Sequence, residues 1–170
     1  PATTRPQPHR SNRPVRIVAD VRRQITVGGM TKREPIKSVM TSHPTYVQRS
    51  QPISQVYDLL DGAPFHHVPV LDGERPVGMV SASDILRLVY DIDGSDDRML
   101  RTMLDHQFTI DDAMTEELRT VSSSASVFDA AAMLSDGSLH SVLVVDDRGK
   151  LVGIVTSTDL VRYLRDNCAP

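Results

Sequence analysis

The chain has 170 residues, of which 39% are apolar and 24% charged, and this composition fits one globular domain or two closely packed half-domains. No stretch approaches the roughly 18 consecutive apolar residues of a membrane span, so none is predicted. The single cysteine, Cys168, excludes an internal disulfide framework and a cysteine-based metal cluster, and a reducing, cytoplasmic setting is expected.

The net charge of −3 is distributed unevenly along the chain. Residues 1–33 carry eight of the nineteen Lys and Arg residues and one acidic residue, Asp20, whereas the remainder is acidic. We call residues 1–34 the basic arm. Such an arm can bind nucleic acid or an acidic membrane, or it can lie on the acidic body of its own chain or of a partner subunit. The arm lacks a dense basic run, which favours the last interpretation and makes nucleic acid the weaker alternative.

The predicted elements begin with residues 15–27, which alternate loosely and favour a strand or an irregular pairing segment. Residues 35–40 predict a short helix, and residues 44–48 predict a short strand. Residues 52–60 carry apolar side chains at helical spacing, with Ser50 as the predicted N-cap. The turn signal Asp72-Gly73 predicts a hairpin of strands 67–71 and 76–80, followed by a helix over 81–90.

The same order of elements returns in the second half of the chain. Residues 91–108 connect the halves and contain a predicted helix at 97–104. A strand at 119–122, a helix at 126–134, a hairpin of 141–146 and 150–155, and a helix at 157–164 follow. The fold prediction is therefore α/β (in detail α+β), with two β-α-β-β-α repeats at residues 35–90 and 109–166. One such unit cannot bury its apolar face alone, so the two are expected to pack together.

The two halves also share sequence. The segment VGMVSASDIL at residues 77–86 matches VGIVTSTDL at residues 152–160 with an offset of 75 residues. Upstream matches have an offset of 74 residues. The paired positions are Met40-Thr41 with Met114-Thr115, His66 with His140, Gly78 with Gly153, Ser81 with Thr156, and Asp84 with Asp159. An internal repeat of this kind constrains the fold before any local pattern does.

Each repeat places a hydroxyl and a carboxylate three residues apart where a strand meets a helix. Taken singly, Ser81 with Asp84 resembles a capping box, with Asp in place of Glu. The duplication, with Gly78 and Gly153 upstream to permit close approach, favours a ligand as well. A helix N-terminus and a hydroxyl suit a phosphate, and a carboxylate can accept from two ribose hydroxyls. The spacing therefore indicates a nucleotide, and the hydroxyl can cap the helix when the site is empty.

These motifs resemble the tandem cystathionine β-synthase (CBS) domain pair, or Bateman module, over residues 35–165. The resemblance rests on the VMT start, the HHVPVLD strand, and an ending of Gly, two apolar residues, Ser or Thr, two variable residues and Asp. It implies a pseudo-twofold pair whose sheets pack together and leave two clefts. Similar modules bind adenosine ligands there, including AMP, ADP, ATP, S-adenosylmethionine, NAD and diadenosine polyphosphates.

The resemblance implies that each cleft is built crosswise, from the Asp of one repeat and the adenine-facing wall of the other. The first cleft would comprise Thr45, Tyr46, Phe65, His66, Val68, Pro69, Thr156 and Asp159. The second cleft would comprise Ser81, Asp84, Arg119, Thr120, Leu139, His140 and Val142. The first is the favoured site because Phe65 and Tyr46 offer aromatic surface, whereas the second has Leu139. Arg119 is a possible phosphate partner in the second cleft.

Phosphate-neutralising side chains are few: Lys37, Arg49, Arg87, Arg119 and Arg162. AMP or ADP is therefore favoured, and ATP would need Mg²⁺. The ligand is expected to be regulatory, no cofactor is required, and the effector protein is unknown. The chain is expected to form a homodimer, with candidate contacts on helix faces with Ile53, Val56 and Leu59 or with Phe128, Ala131 and Ala132. A module that dimerises without any ligand is the alternative function.

Enzyme and metal functions find little support in the sequence. The chain contains no P-loop, nucleophile elbow or HExxH motif, so no catalytic residues are predicted. Consecutive strand residues point to opposite faces, so His66 and His67 are not expected to share a metal. His43, His106 and His140 show no ligand spacing, and no metal site is predicted.

Overall fold

The computed structural model describes residues 34–90 and 96–167. The basic arm up to residue 33 and the strand predicted at 15–27 lie outside these residues. Within the described part, no helix is long and apolar enough to cross a membrane.

The first repeat begins with a 3₁₀ turn at Ile36–Ser38 and the short strand β1 (Thr41–Ser42). Its main elements are β2 (Val47–Gln48), α1 (Ile53–Leu60), β3 (His67–Asp72), β4 (Arg75–Ser81) and α2 (Ala82–Val89). The second repeat follows two helices, α3 (Asp97–Gln107) and α4 (Ile110–Ala113). It contains β5 (Thr120–Ser122), α5 (Val127–Leu134), β6 (Ser141–Val145), β7 (Leu151–Thr156) and α6 (Ser157–Asn167). The predicted α/β fold of two repeats is confirmed.

The strands form two sheets, one per repeat, with the same internal pairing. The first has the order β2-β3-β4 and the second has the order β1-β7-β6-β5. β2 runs parallel to β3 in the first sheet, as β5 does to β6 in the second, and each sheet contains an antiparallel hairpin, β3 with β4 and β6 with β7. Both hairpins carry an irregularity at equivalent positions, after Val70 and after Val144.

The segment that leads into each repeat packs against the other repeat. β1 pairs with β7 across the repeats, and the matching bridge joins Met79 of β4 to Thr115. Ile36 is fully buried in the core of the second repeat, together with Val142 and Val155. Ile110 is fully buried in the core of the first repeat. The two cores are therefore completed reciprocally.

The duplicated glycines are explained by this exchange. A Cβ on Gly78 would lie 2.5 Å from the sulfur of Met114, and a Cβ on Gly153 would lie 2.6 Å from the sulfur of Met40. The close neighbour that each glycine admits is thus the methionine of the duplicated Met-Thr pair. The interpretation that these glycines make room for a ligand was wrong.

Several local predictions were corrected by contacts distant in sequence. Ser50 is not the N-cap of α1, because Asp105 of α3 accepts hydrogen bonds from the Ser54 N–H (2.9 Å) and hydroxyl (2.8 Å) at the helix start. The helix predicted at 35–40 is a single 3₁₀ turn. The strand predicted at 44–48 covers Val47–Gln48 alone, since Pro44 lacks an N–H for the ladder. The helix at 97 extends to Gln107, and sequence reasoning missed α4 and β1.

One of the two helix faces proposed for dimerisation is unavailable. Ile53 and Val56 are fully buried in the core of the first repeat, and Leu59 packs against that core. Their helical spacing was correctly recognised, but it serves the monomer. Phe128 on α5 is 53% exposed, so the other face remains accessible.

Candidate functional site

The hydroxyl-x-x-Asp junctions form reciprocal capping boxes. At the start of α6, the Thr156 N–H and hydroxyl donate to Asp159 Oδ2 at 2.9 and 2.6 Å, and the Asp159 N–H donates to Thr156 Oγ1 at 3.2 Å. Ser81 and Asp84 make the same bonds at the start of α2. The junction satisfies helix-start N–H groups that would otherwise lack partners.

The same box also occurs away from the two cavities described below. Ser126 and Asp129 form it at the start of α5, with bonds of 2.8, 2.7 and 3.3 Å. Neither residue lines the two cavities described below. The box is therefore a structural device of this chain, and it carries binding potential only where a cavity adjoins it.

The second carboxylate oxygen of each junction Asp is held by an arginine one turn later. Arg162 donates to Asp159 Oδ1 at 3.1 Å, and Arg87 donates to Asp84 Oδ1 at 3.3 Å. The Asp159 side chain is 14% exposed, whereas that of Arg162 is 58% exposed. Because an exposed ion pair is weak, a ligand hydroxyl can replace the arginine on Oδ1 at small cost.

A cavity of about 590 Å³ lies beside Asp159 and receives residues from both repeats. Five predicted residues of the first cleft line it: Thr45, Phe65, His66, Thr156 and Asp159. Three predicted residues do not. Val68 and Pro69 are buried in β3, and Tyr46 is half-exposed, at a position where it interacts electrostatically with Lys150. The aromatic surface of this cavity is therefore that of Phe65.

A second cavity of about 360 Å³ lies beside Asp84. Its lining includes five predicted residues: Ser81, Asp84, Arg119, Leu139 and His140. Thr120 and Val142 are buried in β5 and β6 and do not line it. Glu117, Met79 and Arg87 complete much of the wall, so acidic and basic groups are balanced in number.

The first cavity has a histidine-rich wall, of which sequence reasoning assigned only His66 to this cavity. His43, His66, His67 and His140 all line it. His66 directly precedes β3, and both His66 and His67 line this cavity. His43 has φ = 52°, a left-handed conformation, which turns the chain from β1 into the cavity wall. The local sequence offers no signal for this gathering.

His67 has an altered titration. Burial is the main cause that lowers the pKa of His67, and the nearby His140 and His66 lower it further, whereas Asp84 opposes them. His67 is therefore held in its neutral form. Among the described residues, no group of three or more His, Cys, Asp and Glu side chains could hold a metal ion.

Three of the five cationic residues considered for phosphate line a cavity. Arg162 lines the first, and Arg87 and Arg119 line the second. Arg49 instead forms a two-bond ion pair with Asp111, at 2.7 and 2.8 Å. Lys37 belongs to the 3₁₀ turn and lines neither cavity. The first cavity thus has one arginine and four histidines facing one carboxylate.

Comparison with solved structures finds adenosine-containing complexes. The structure of CBSX2 in complex with AMP is 25% identical with a TM-score of 0.65, covering 80% of this chain and 99% of that chain. A further CBSX2 structure is from Arabidopsis thaliana. The CBS domain pair of MJ0100, in complex with methylthioadenosine and S-adenosyl-L-methionine, is 25% identical with a TM-score of 0.59, covering 76% and 98%.

Curated relatives extend well beyond this chain. The homoserine O-acetyltransferase of Methanocorpusculum labreanum is 26% identical over 135 residues, which are 79% of this chain and 25% of that protein. The chain spans 37% and 25% of the lengths of the first two curated relatives that it matches.

The family comparison agrees with the repeats in the structure. The family model described as the CBS domain matches residues 36–91 and again residues 110–166. These two matches cover most of the chain and coincide with the halves that exchange their leading segments. The chain therefore belongs to the CBS domain family and carries two CBS domains in tandem.

Proposed function

We propose that this chain is a regulatory module that binds an adenosine-type ligand, AMP or ADP, in the cavity beside Asp159. The observation that carries the proposal is the state of Asp159. One of its oxygens is fixed by the capping box, and the other accepts a hydrogen bond from Arg162 beside the cavity. A carboxylate in that position can accept hydrogen bonds from two vicinal ribose hydroxyls.

The size and lining of the cavity support a nucleoside ligand. Its volume of about 590 Å³ lies within the range of small-molecule sites. Phe65 supplies an aromatic face on which a purine can stack, and Pro44, Pro64 and Ile154 supply further apolar surface. The smaller second cavity lacks an aromatic side chain other than the imidazoles. We therefore assign the first cavity as the main site.

The charge of the first cavity supports a short phosphate chain. When a ribose takes its place on Asp159, Arg162 becomes available to a phosphate on the same ligand. One arginine, with imidazole N–H groups as hydrogen-bond donors, can balance a monophosphate or diphosphate better than a triphosphate, which would bring Mg²⁺. The adenosine ligands of CBSX2 and MJ0100 support the nucleoside part of this proposal.

The ligand would act by differential binding. It would touch both repeats, so it would favour the arrangement of the pair in which it binds more tightly. The activity of an effector can change only by that difference in affinity. The effector is unidentified, and we assign no reaction to this chain, although one partly matching relative is named as an acetyltransferase.

The test compares two capping-box variants of the purified protein. Asp159→Ala is expected to weaken AMP binding at least 30-fold, because the ribose loses its acceptor. Asp129→Ala loses the same kind of cap on α5, away from both cavities, and should leave the affinity unchanged. Both variants should lose about 1 kcal/mol of stability. Affinity would be measured by calorimetry for AMP, ADP, ATP and S-adenosylmethionine, with and without Mg²⁺.

Two results would contradict the proposal. Wild-type protein that is free of carried-over nucleotide and binds none of these ligands would refute it. Equal loss of affinity in Asp159→Ala and Asp129→Ala would show that the carboxylate acts through folding alone.

A dimerisation module is the second candidate, and one observation favours it. Leu86 on α2 and Val161 on α6 occupy equivalent positions in the two repeats and are 67% and 65% exposed. Phe128 on α5 adds a third exposed apolar side chain. Sedimentation of wild-type protein and of a Leu86→Lys, Val161→Lys variant, each without ligand, tests this role. A monomer in both cases would exclude it.

A further inference from the structure

Two histidines belong to the walls of both cavities. His67 comes from β3 of the first repeat and His140 directly precedes β6 of the second repeat, and each lines both the first and the second cavity. Their ring centroids lie 6.5 Å apart, with the ring planes inclined at 46°. The partition between the two cavities thus contains a pair of imidazoles, one from each repeat.

The repeat does not generate this pair. His140 has an equivalent in His66, but the residue equivalent to His67 is Ser141. His67 pairs with Ser81 in its hairpin, and Ser141 pairs with Thr156 in the same register. Nothing in the backbone of the duplicated fold therefore requires an imidazole at position 67.

The partition is surrounded by groups of both charges. The titratable and charged residues that line the cavities around the pair are His43, His66, Asp159, Arg162, Asp84, Arg87, Glu117 and Arg119. Burial keeps the pKa of His67 below its usual value. His67 is therefore uncharged above its ordinary pKa, and a nearby anion would favour its protonated form.

We propose that His67 and His140 form one proton-accepting partition that selects anionic ligands and couples the occupancy of the two cavities. This inference rests on the proposed function, because it assumes that phosphate-bearing adenosine ligands enter these cavities. The first anionic ligand draws a proton onto the pair, and the positive charge that results faces both cavities.

The sign of the coupling follows from proton linkage. The first ligand bears the free-energy cost of protonating a half-buried imidazole, and the second ligand meets a partition that is already charged. Binding is therefore positively cooperative at any pH where His67 is neutral before ligand binds. At lower pH His67 is protonated before any ligand arrives, and the cooperativity disappears. A neutral ligand such as adenosine recruits no proton and shows no such coupling.

The first experiment measures proton uptake. Calorimetric titration of AMP and of adenosine at pH 8 and pH 7, in two buffers of different ionisation enthalpy, gives the number of protons bound with each ligand. Wild type is expected to take up a substantial fraction of one proton with AMP and none with adenosine. AMP affinity should rise severalfold between pH 8 and pH 7, within the tenfold per unit that one proton allows.

Two variants separate the histidines from other proton acceptors. The double variant His67→Gln, His140→Gln should bind AMP with no proton uptake and little pH dependence. His106→Gln changes an exposed histidine on α3 that lines neither cavity and should behave as wild type. Persistent uptake in the double variant would assign the proton to the AMP phosphate and overturn the inference.

The second experiment measures the coupling itself. Asp84→Asn impairs the second cavity but keeps an acceptor for the helix cap, so it reports the first cavity alone. At pH 8 the first cavity of wild type, with the second filled, should bind AMP about fivefold more tightly than in Asp84→Asn. One AMP per chain, or two independent sites, overturns the coupling. Binding that depends on Asp159 but not on the histidines refutes this inference alone, whereas no AMP binding in wild type refutes the proposed function with it.

Discussion

The two cavities have equivalent residues at their capping boxes but different residues along the rest of their linings. Each opens at a capping box with an arginine one turn later, and these residues are equivalent between the repeats. The walls diverge: Phe65 in the first cavity corresponds to Leu139 in the second, and Thr45 corresponds to Arg119. The volumes differ accordingly, at about 590 and 360 Å³.

The difference separates structural residues from selective ones. The duplicated residues are those with demonstrable packing or capping partners, such as Met40 against Gly153 and Thr156 with Asp159. The residues that distinguish the cavities are positions where the repeats disagree. Duplicated residues are therefore those that pack or cap the structure around a site. Residues that differ between the repeats are those that distinguish one site from the other.

The largest effect is expected from substitution of the duplicated glycines. Gly78→Ala and Gly153→Ala should each reduce the free energy of unfolding by about 1–3 kcal/mol, because the new methyl group overlaps a methionine side chain. Gly153→Ala should cost more, because its Cβ would also lie 3.2 Å from the backbone oxygen of Thr41. Urea unfolding measures both values.

A double-mutant cycle tests the cause. Met114→Ala combined with Gly78→Ala should be less destabilised than the sum of the two single variants, because the overlap has been removed. Additive losses would contradict a direct contact. A Gly78→Ala protein as stable as wild type would show that the Gly78 contact with Met114 does not constrain the structure as proposed.

An exchange of wall residues gives a smaller effect. Phe65→Leu should weaken AMP binding at the first cavity by about tenfold, since it removes one aromatic face worth roughly 1–3 kcal/mol against a base. Leu139→Phe should strengthen binding at the second cavity by less, because that cavity is smaller. Calorimetric affinities in Asp84→Asn and Asp159→Asn backgrounds assign each change to its cavity. Unchanged affinity in Phe65→Leu would remove Phe65 from the base-binding surface.

The smallest effect concerns acid stability without ligand. The folded state lowers the pKa of His67, so its contribution to stability is present above the ordinary histidine pKa of about 6.5 and is lost as the pH falls through the lower folded value. His67→Gln should therefore lose less melting temperature than wild type between pH 7.5 and pH 5.5. His106→Gln should match wild type, and equal losses in all three proteins would contradict the burial effect.

The sequence was sufficient to predict elements that depend on local residue patterns or on the internal repeat. The helical spacing from Ile53 to Leu60, the hairpin at Gly73 and the four junction residues were all located from it. It failed where the partner is remote in the chain. Asp105 accepts the hydrogen bonds at the start of α1 although it lies 51 residues after Ser54 in the chain, and β1 pairs in the sheet of the other repeat. No local pattern encodes either contact.

The candidate site likewise contains residues that the sequence predicted and residues that it did not. Thr156, Asp159 and Phe65 line the expected cavity because the repeat and the resemblance place them there. Val68 and Pro69 were assigned to the cleft, but β3 directs them into buried surroundings. Arg162 was considered as a phosphate partner, and it lines the first cavity. His67 was not selected, because it has no equivalent in the other repeat and the sequence therefore offered no signal for it.

The reciprocal burial of Ile36 and Ile110 determines how the molecule comes apart. If either half opened, it would withdraw a fully buried isoleucine from the half that remained and expose its own. Half-folded species are therefore destabilised twice, and we expect melting to be all-or-none although the architecture has two parts. For the same reason, two fragments separated between residues 91 and 108 would each be incompletely folded alone and would regain order only on mixing.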